Sequence, residues 1–178
     1  MNEAGAPVLL AVEGAVAVIT LNRPQVLNAI DAATARAFGE AVADIAGNPA
    51  VRCVLLRGEG RAFCAGGDVS RFVDGDPLGA VEAIIDPLHA ALKQFDSLSV
   101  PTVAAVQGAA AGAGFSLALA CDLALAADDA VFTLAYARIG ASPDGSATYR
   151  LPRLVGPRKA LELAMLAEPV RPPEALPL

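Results

Sequence analysis

Apolar residues recur along this chain in two alternating rhythms. Val8 to Val12 and Ala15 to Leu21 are β-branched, apolar runs on either side of Glu13-Gly14, which predicts a hairpin. Asn22-Arg23-Pro24 breaks the second run. From Asp31, a helix-capping residue, the spacing changes to threes and fours. Ala35, Phe38, Val42 and Ile45 then share one face until Gly47-Asn48-Pro49 stops the helix. Val51 to Arg57 predicts the next strand, followed by a loop from Gly58 to Asp68, a Gly/Pro/Asp-rich stretch and a helix from about Ala80 to Phe95. Val103 to Gln107 reads as a strand, Gly112 to Cys121 as a helix, and Leu123 to Ala127 as a strand again. Strands that alternate with helices need right-handed crossovers, so the pattern predicts an α/β fold with a mainly parallel sheet covered by helices.

Residues Ser97 to Cys121 carry no charge, as a membrane span would, but Pro101, Gln107, Gly108, Gly112 and Gly114 interrupt them. Strand, glycine loop and buried helix is the better reading, and no membrane partner is expected. With 178 residues, 55% of them apolar and 18% charged, the chain can bury one domain's core and has none of the signs of disorder. The formal net charge is -6 and no run of Lys or Arg could track a phosphate backbone, which argues against a nucleic-acid partner. A small anionic ligand needs only a few local cations, such as Arg23, Arg57, Arg61 or Arg71. The opening MNEAGAPVLL lacks a basic region followed by a long apolar one, so the expected location is cytoplasmic. Cys53, Cys64 and Cys121 have neither C-x-x-C spacing nor an even count, which argues against disulfides and structural zinc and for small buried hydrophobes.

Two glycine-rich turns each leave a predicted strand. They are Phe63-Cys64-Ala65-Gly66-Gly67-Asp68 and Gln107-Gly108-Ala109-Ala110-Ala111-Gly112-Ala113-Gly114. Small residues let backbone approach a ligand closely, and N–H groups at a helix start lack internal partners and favour negative charge. Two such turns at one sheet edge could form an oxyanion hole, although either alone is equally a tight packing turn. The glycine spacing does not read G-x-G-x-x-G, and no Lys-Ser/Thr follows, so neither a dinucleotide loop nor a P-loop is indicated.

Taken in order, Asn22-Arg23-Pro24 with Asn28-Ala29, FCAGGDV at 63 to 69, PTVAAVQGAAAGAGFSLALACDLALAADDAVF at 101 to 132 and RLPRLVGPRKALEL at 150 to 163 resemble the enoyl-CoA hydratase/isomerase (crotonase) family. The resemblance runs from about Val8 to Ala167 and implies a spiral of strand-strand-helix turns. Residues 1–167 would form an acyl-CoA-binding core, and 168–178, a proline-rich tail, would begin a further helical region needed for a homotrimer or a dimer of trimers. By the same resemblance the backbone N–H groups of Gly67 and Ala113 would hold a thioester carbonyl. Gln25, Val26, Ala65, Gly66, Asp68, Val69 and Gly112 would line the coenzyme-A site. Coenzyme A would enter as part of the substrate, with no other cofactor and no metal.

The family's hydratases use two glutamates, and the corresponding positions here are Ser116 and Tyr136. A hydroxyl is too weak a base near pH 7 to replace either carboxylate. The resemblance therefore points away from hydration and toward Asp144, in Ile139-Gly140-Ala141-Ser142-Pro143-Asp144-Gly145. This segment is similar both to isomerases of phenylacetyl-CoA breakdown, where an Asp acts as acid/base, and to the 4-chlorobenzoyl-CoA dehalogenase branch, where an Asp attacks the ring. Pro-Asp-Gly is also a common turn. His89, the lone histidine, matches that second branch's base, and Phe115, Ser116, Tyr136 and His89 would form the acyl pocket. The expectation is an enoyl-CoA isomerase. Substitution by an aspartate nucleophile, hydration and a non-catalytic coenzyme-A binder remain the alternatives.

Overall fold

The computed structural model describes residues 5–72 and 77–175; of Arg71, Phe72 and Pro77 only the backbone is described. Strands β1 (Val8–Glu13) and β2 (Val16–Leu21) form the expected antiparallel hairpin. The strands β3 (Cys53–Gly58), β4 (Thr102–Val106) and β6 (Leu123–Ala126) then add in parallel, giving the order β1-β2-β3-β4-β6. A second, smaller sheet pairs β5 (Ala109–Ala111) with β7 (Val131–Thr133), also in parallel. Single bridges prolong it on both sides, from Ile30 to Gly67, from Cys64 to Ala110 and from Phe132 to Val170. Each turn of chain thus gives one strand to the first sheet, one short segment to the second, and then a helix. This is the ββα spiral the resemblance implied.

Helix α1 (Ala32–Ala46) starts at Asp31, whose carboxylate accepts hydrogen bonds from the Thr34 N–H and hydroxyl, both at 2.8 Å. Its buried residues include Ala35, Phe38, Val42 and Ile45, the face expected from the spacing. Helix α2 (Pro77–Asp96) packs along α1, with the Phe38 and Phe95 ring centres 5.7 Å apart. Helix α3 (Ala113–Ala120) is buried on every side. No helix among the described residues is long and apolar enough to cross a membrane; the uncharged stretch from Ser97 to Cys121 holds β4, β5 and the buried α3, after an exposed start. The chain ends in α4 (Ala147–Val155), α5 (Pro157–Leu166) and the single turn α6 (Pro172–Ala175).

The sequence pattern stopped short in two places. Ala109–Ala111 is a strand, where a glycine turn was expected throughout. Its three alanines pair only because Cys64 on one side and Phe132 on the other supply backbone partners from distant parts of the chain. Helix α2 begins at Pro77, before the expected Ala80, since a proline is well suited to a first helical turn.

Candidate active site

The two glycine turns lie against each other. Gly66 has φ +101°, and a Cβ built there would stand 2.8 Å from the Ala111 carbonyl oxygen and 3.5 Å from the Ala113 nitrogen, so only glycine fits. Gly114 is still tighter, because an added Cβ would meet the Cys64 carbonyl oxygen at 2.2 Å. The start of α3 is therefore pressed onto the loop from Cys64 to Gly67. Gly112, the residue before α3, gives no side-chain cap, and among the described residues neither the Ala113 N–H nor the Gly67 N–H has an acceptor. Both residues line one cavity of about 520 Å³.

A buried asparagine holds this arrangement. Asn28, 1% exposed, donates from its amide to the carbonyls of Glu59 (2.9 Å), Ala62 (2.8 Å) and Phe63 (3.2 Å), and its Oδ1 accepts from the Arg23 N–H (2.8 Å). The Arg23 guanidinium in turn donates to the Ala29 carbonyl and reaches Asp31 and Asp68, each at 3.2 Å. Arg23 is thus engaged by the protein's own carboxylates, not free as a counter-charge for a ligand. The Arg57 Nε donates to the Thr20 hydroxyl, Arg61 is exposed, and the side chain of Arg71 lies outside the described residues.

The opposite wall carries the side chains. Val81, Ile84, Ile85 and Leu88 form an apolar face of α2, and Tyr136 and Asp144 stand beside it. Tyr136 lies in a 3-10 turn (Ala135–Ile139), and its hydroxyl donates to Asp144 Oδ1 at 2.6 Å. The Ser116 Oγ, on α3, is 3.0 Å from the Tyr136 hydroxyl and within donating reach of the Asp144 carbonyl (3.0 Å) and the Gly112 carbonyl (3.3 Å). Burial, reinforced by the Asp144 charge, pushes the Tyr136 phenol well above its usual range, so it remains a protonated donor. His89 Nε2 lies 3.7 Å from Asp144 Oδ2 and accepts a 3.4 Å bond from the Gly145 N–H.

The residues expected at the site divide clearly. Gly67, Ala113, Ala65, Gly66, Val69, Gly112, Tyr136 and Asp144 all line the cavity. Ser116 stands directly behind Tyr136, and His89 beside Asp144 with its side chain 40% exposed. Asp68 turns instead to Arg23 and to the Ser70 hydroxyl, while Gln25 and Val26 sit exposed on a 3-10 turn (Pro24–Val26) away from the cavity. Phe115 corrects the expectation. Its ring packs on Phe132, centroids 5.3 Å apart, and lines a different hollow, because successive helical residues point about 100° apart and Ser116 takes the side facing Tyr136. The α2 wall was missed, although Val81, Ile84, Ile85 and Leu88 follow helical spacing and could have signalled it. Burial pushes the Cys64 and Cys121 thiols up to about 12, which leaves them inert packing groups.

Residues 11–178 match the family model described as enoyl-CoA hydratase/isomerase. The chain belongs to this family. Over 161 residues it is 42% identical to the Rhodobacter capsulatus protein named "probable enoyl-CoA hydratase", covering 89% of this chain and 61% of that one. Over 165 residues it is 39% identical to the 1,2-epoxyphenylacetyl-CoA isomerase of Escherichia coli, covering 89% of this chain and 62% of that one. A Thermobifida fusca structure solved in complex with acetoacetyl-CoA superposes with a TM-score of 0.83 at 33% identity, covering 97% of this chain and 71% of that one. The chain spans about three fifths of the length of these curated relatives. Among the described residues of this enoyl-CoA hydratase/isomerase spiral, the two unpartnered N–H groups and the one carboxylate lining the cavity are the features with chemical potential.

Proposed function

We propose that the protein isomerises the double bond of an enoyl-CoA thioester. The observation that carries this reading is that Asp144 is the only carboxylate among the described residues lining the cavity, opposite two backbone N–H groups without acceptors. Hydration has to place a water and also deliver a proton, a task usually shared by two groups. Isomerisation needs one group that takes a proton and gives it back. The thioester carbonyl oxygen would accept from the Gly67 and Ala113 N–H groups. Asp144 would remove a proton from C2 of a 3-enoyl chain, the C–H electron pair would pass into the enolate, and return of the proton to C4 would leave the double bond between C2 and C3. Each N–H contributes on the order of 10²–10³ in rate and a well-placed acid/base about 10²–10⁴. The step as drawn uses no metal or redox group. The similarity to a protein solved with acetoacetyl-CoA and to a 1,2-epoxyphenylacetyl-CoA isomerase supports an acyl-CoA substrate.

Comparing crotonyl-CoA and a 3-enoyl-CoA side by side, with wild type and Asp144→Asn, tests this. The 3-enoyl-CoA should react faster, and Asp144→Asn should lose about 10²-fold or more in turnover while calorimetric binding of the thioester changes little. Brisk crotonyl-CoA hydration that survives Asp144→Asn would refute both residue and reaction. The 3.7 Å approach of His89 to Asp144 supports a second reading, with Asp144 as a nucleophile and His89 as a base; a covalent adduct on Asp144 trapped in mass spectrometry would favour it. We further propose a cytoplasmic homotrimer or dimer of trimers. Leu123, Tyr149 and Leu154, all about 60% or more exposed, line the same hollow as Phe115, an apolar face suited to burial between subunits.

A further inference from the structure

Resting on the isomerase reading, we infer that Tyr136, backed by Ser116, is a positioning residue that locks the Asp144 carboxylate so that Oδ2 alone takes up and returns the proton. The Tyr136 hydroxyl has one hydrogen, and the 2.6 Å contact commits it to Asp144 Oδ1. Tyr136 can therefore only accept from Ser116, which lies 3.0 Å away. Tyr136 is buried and Ser116 is 1% exposed, so water does not compete for these bonds. The Ser116 hydroxyl also has one hydrogen, and the Asp144 carbonyl, likewise 3.0 Å away, is the alternative acceptor for it. Asp144 is thus gripped at one carboxylate oxygen, by a hydroxyl that Ser116 backs.

The other oxygen is left for chemistry. Among the described residues Oδ2 has no hydrogen-bond donor, and His89 Nε2 stands 3.7 Å from it. That nitrogen accepts from the Gly145 N–H, so in neutral His89 it offers Oδ2 no hydrogen. One oxygen fixed and one free means that a single lone-pair direction serves both C2 and C4 of the substrate. The proton then stays on one atom of a partly shielded carboxyl between removal and return. A rotating carboxyl would present either oxygen and exchange its proton with solvent before returning it.

The inference predicts a separation of effects in Tyr136→Phe, which keeps the ring and removes the hydroxyl. With a 3-enoyl-CoA, kcat should fall about 10–100-fold, the cost of a loosely placed reacting group, while KM stays within about twofold. In D2O, the deuterium incorporated at C4 per turnover should rise above the wild-type level, a change that a purely structural loss would not produce. Ser116→Ala should move both readouts in the same direction by a smaller factor, and it decides the matter if Tyr136→Phe does not fold. If Asp144→Asn abolishes turnover but both hydroxyl variants keep the wild-type kcat and deuterium content, the positioning role is overturned and the isomerase reading stands. If wild type turns over no enoyl-CoA at all, both fall together.

Discussion

The two walls of the cavity are built on different principles. The wall of Gly67 and Ala113 presents only backbone, and every part of it is braced. Gly114 presses on Cys64, Gly66 on Ala111, and Asn28 ties down the loop beneath. The wall of Ser116, Tyr136, His89 and Asp144 presents side chains from α3, the 3-10 turn, α2 and the loop after that turn; hydrogen bonds join Ser116, Tyr136 and Asp144, and His89 accepts from the Gly145 N–H beside them. On the proposed reading the first wall does one thing, which is to stabilise an oxyanion. On the same reading the second decides which proton moves and where. Changes in the backbone wall should therefore destroy the structure and the site together, whereas changes in the side-chain wall should cost turnover and spare the fold.

Gly114→Ala tests the first half of that contrast and should have the largest effect. The new methyl would lie 2.2 Å from a backbone carbonyl oxygen and 2.7 Å from the Cys64 Cβ, neither of which is the tip of a flexible side chain. Helix α3 must retreat, at a cost of about 3 kcal/mol or more, and the Ala113 N–H moves with it. Denaturant titration should show the lost stability and calorimetry a loss of acyl-CoA binding. An alanine variant that binds normally would show the backbone wall to be softer than drawn.

Asp144→Asn tests the other half. The expected hundredfold loss of turnover corresponds to about 2.7 kcal/mol of barrier. Asparagine still offers an oxygen to the Tyr136 hydroxyl, so the melting temperature should stay within about 2 °C of wild type, since exchanges that keep the local bonding rarely cost much. A large drop in melting temperature would mean that the side-chain wall also braces the fold.

How legible each wall was in the sequence follows from the same contrast. Glycine turns are local signals, so Gly67 and Ala113 could be placed from the residues around them together with a family resemblance. Apart from β5, the strands up to β6 and the helices α1 to α3 follow from periodicity for the same reason. The side-chain wall depends on contacts between residues far apart, such as Ser116 with Tyr136 and His89 with Asp144, which no local pattern encodes. Phe115 shows the difficulty, since being next to Ser116 in sequence puts its ring on another side of α3. A helix buried all round has no polar face to reveal which residues look into the cavity. The three-residue strands β5 and β7 are likewise invisible until their partners arrive.

Asn28→Ala should be the next smaller perturbation, at about 2 kcal/mol, because it leaves the carbonyls of Ala62 and Phe63 and the Arg23 N–H without their partner. The loop leading to Gly67 would loosen, so acyl-CoA affinity should fall along with stability. Stability lost without any weakening of binding would detach Asn28 from the site.

The smallest expected effect is a loss of stability in acid, and it too belongs to the backbone wall. Burial pushes the Asp31 carboxyl up, but the Thr34 N–H and hydroxyl together with the Arg23 guanidinium outweigh it and hold the group below its ordinary 3.8. The Ser70 hydroxyl, and then Arg23, do the same for Asp68 against its own burial. Folding therefore favours the charged forms, and below the ordinary value the unfolded chain binds more protons than the folded one. The stabilisation is complete above that value and is lost as the pH falls through the lowered ones. Arg23 stays charged throughout, so replacing it should remove only its share and leave that of Thr34 and Ser70. Melting temperatures measured from about pH 6 down to pH 3 should fall less steeply in Arg23→Met than in wild type, from a lower starting point. Parallel curves for the two proteins would mean that Arg23 does not stabilise these carboxylates, and the brace beneath the Gly67 loop would then rest on Asn28 alone.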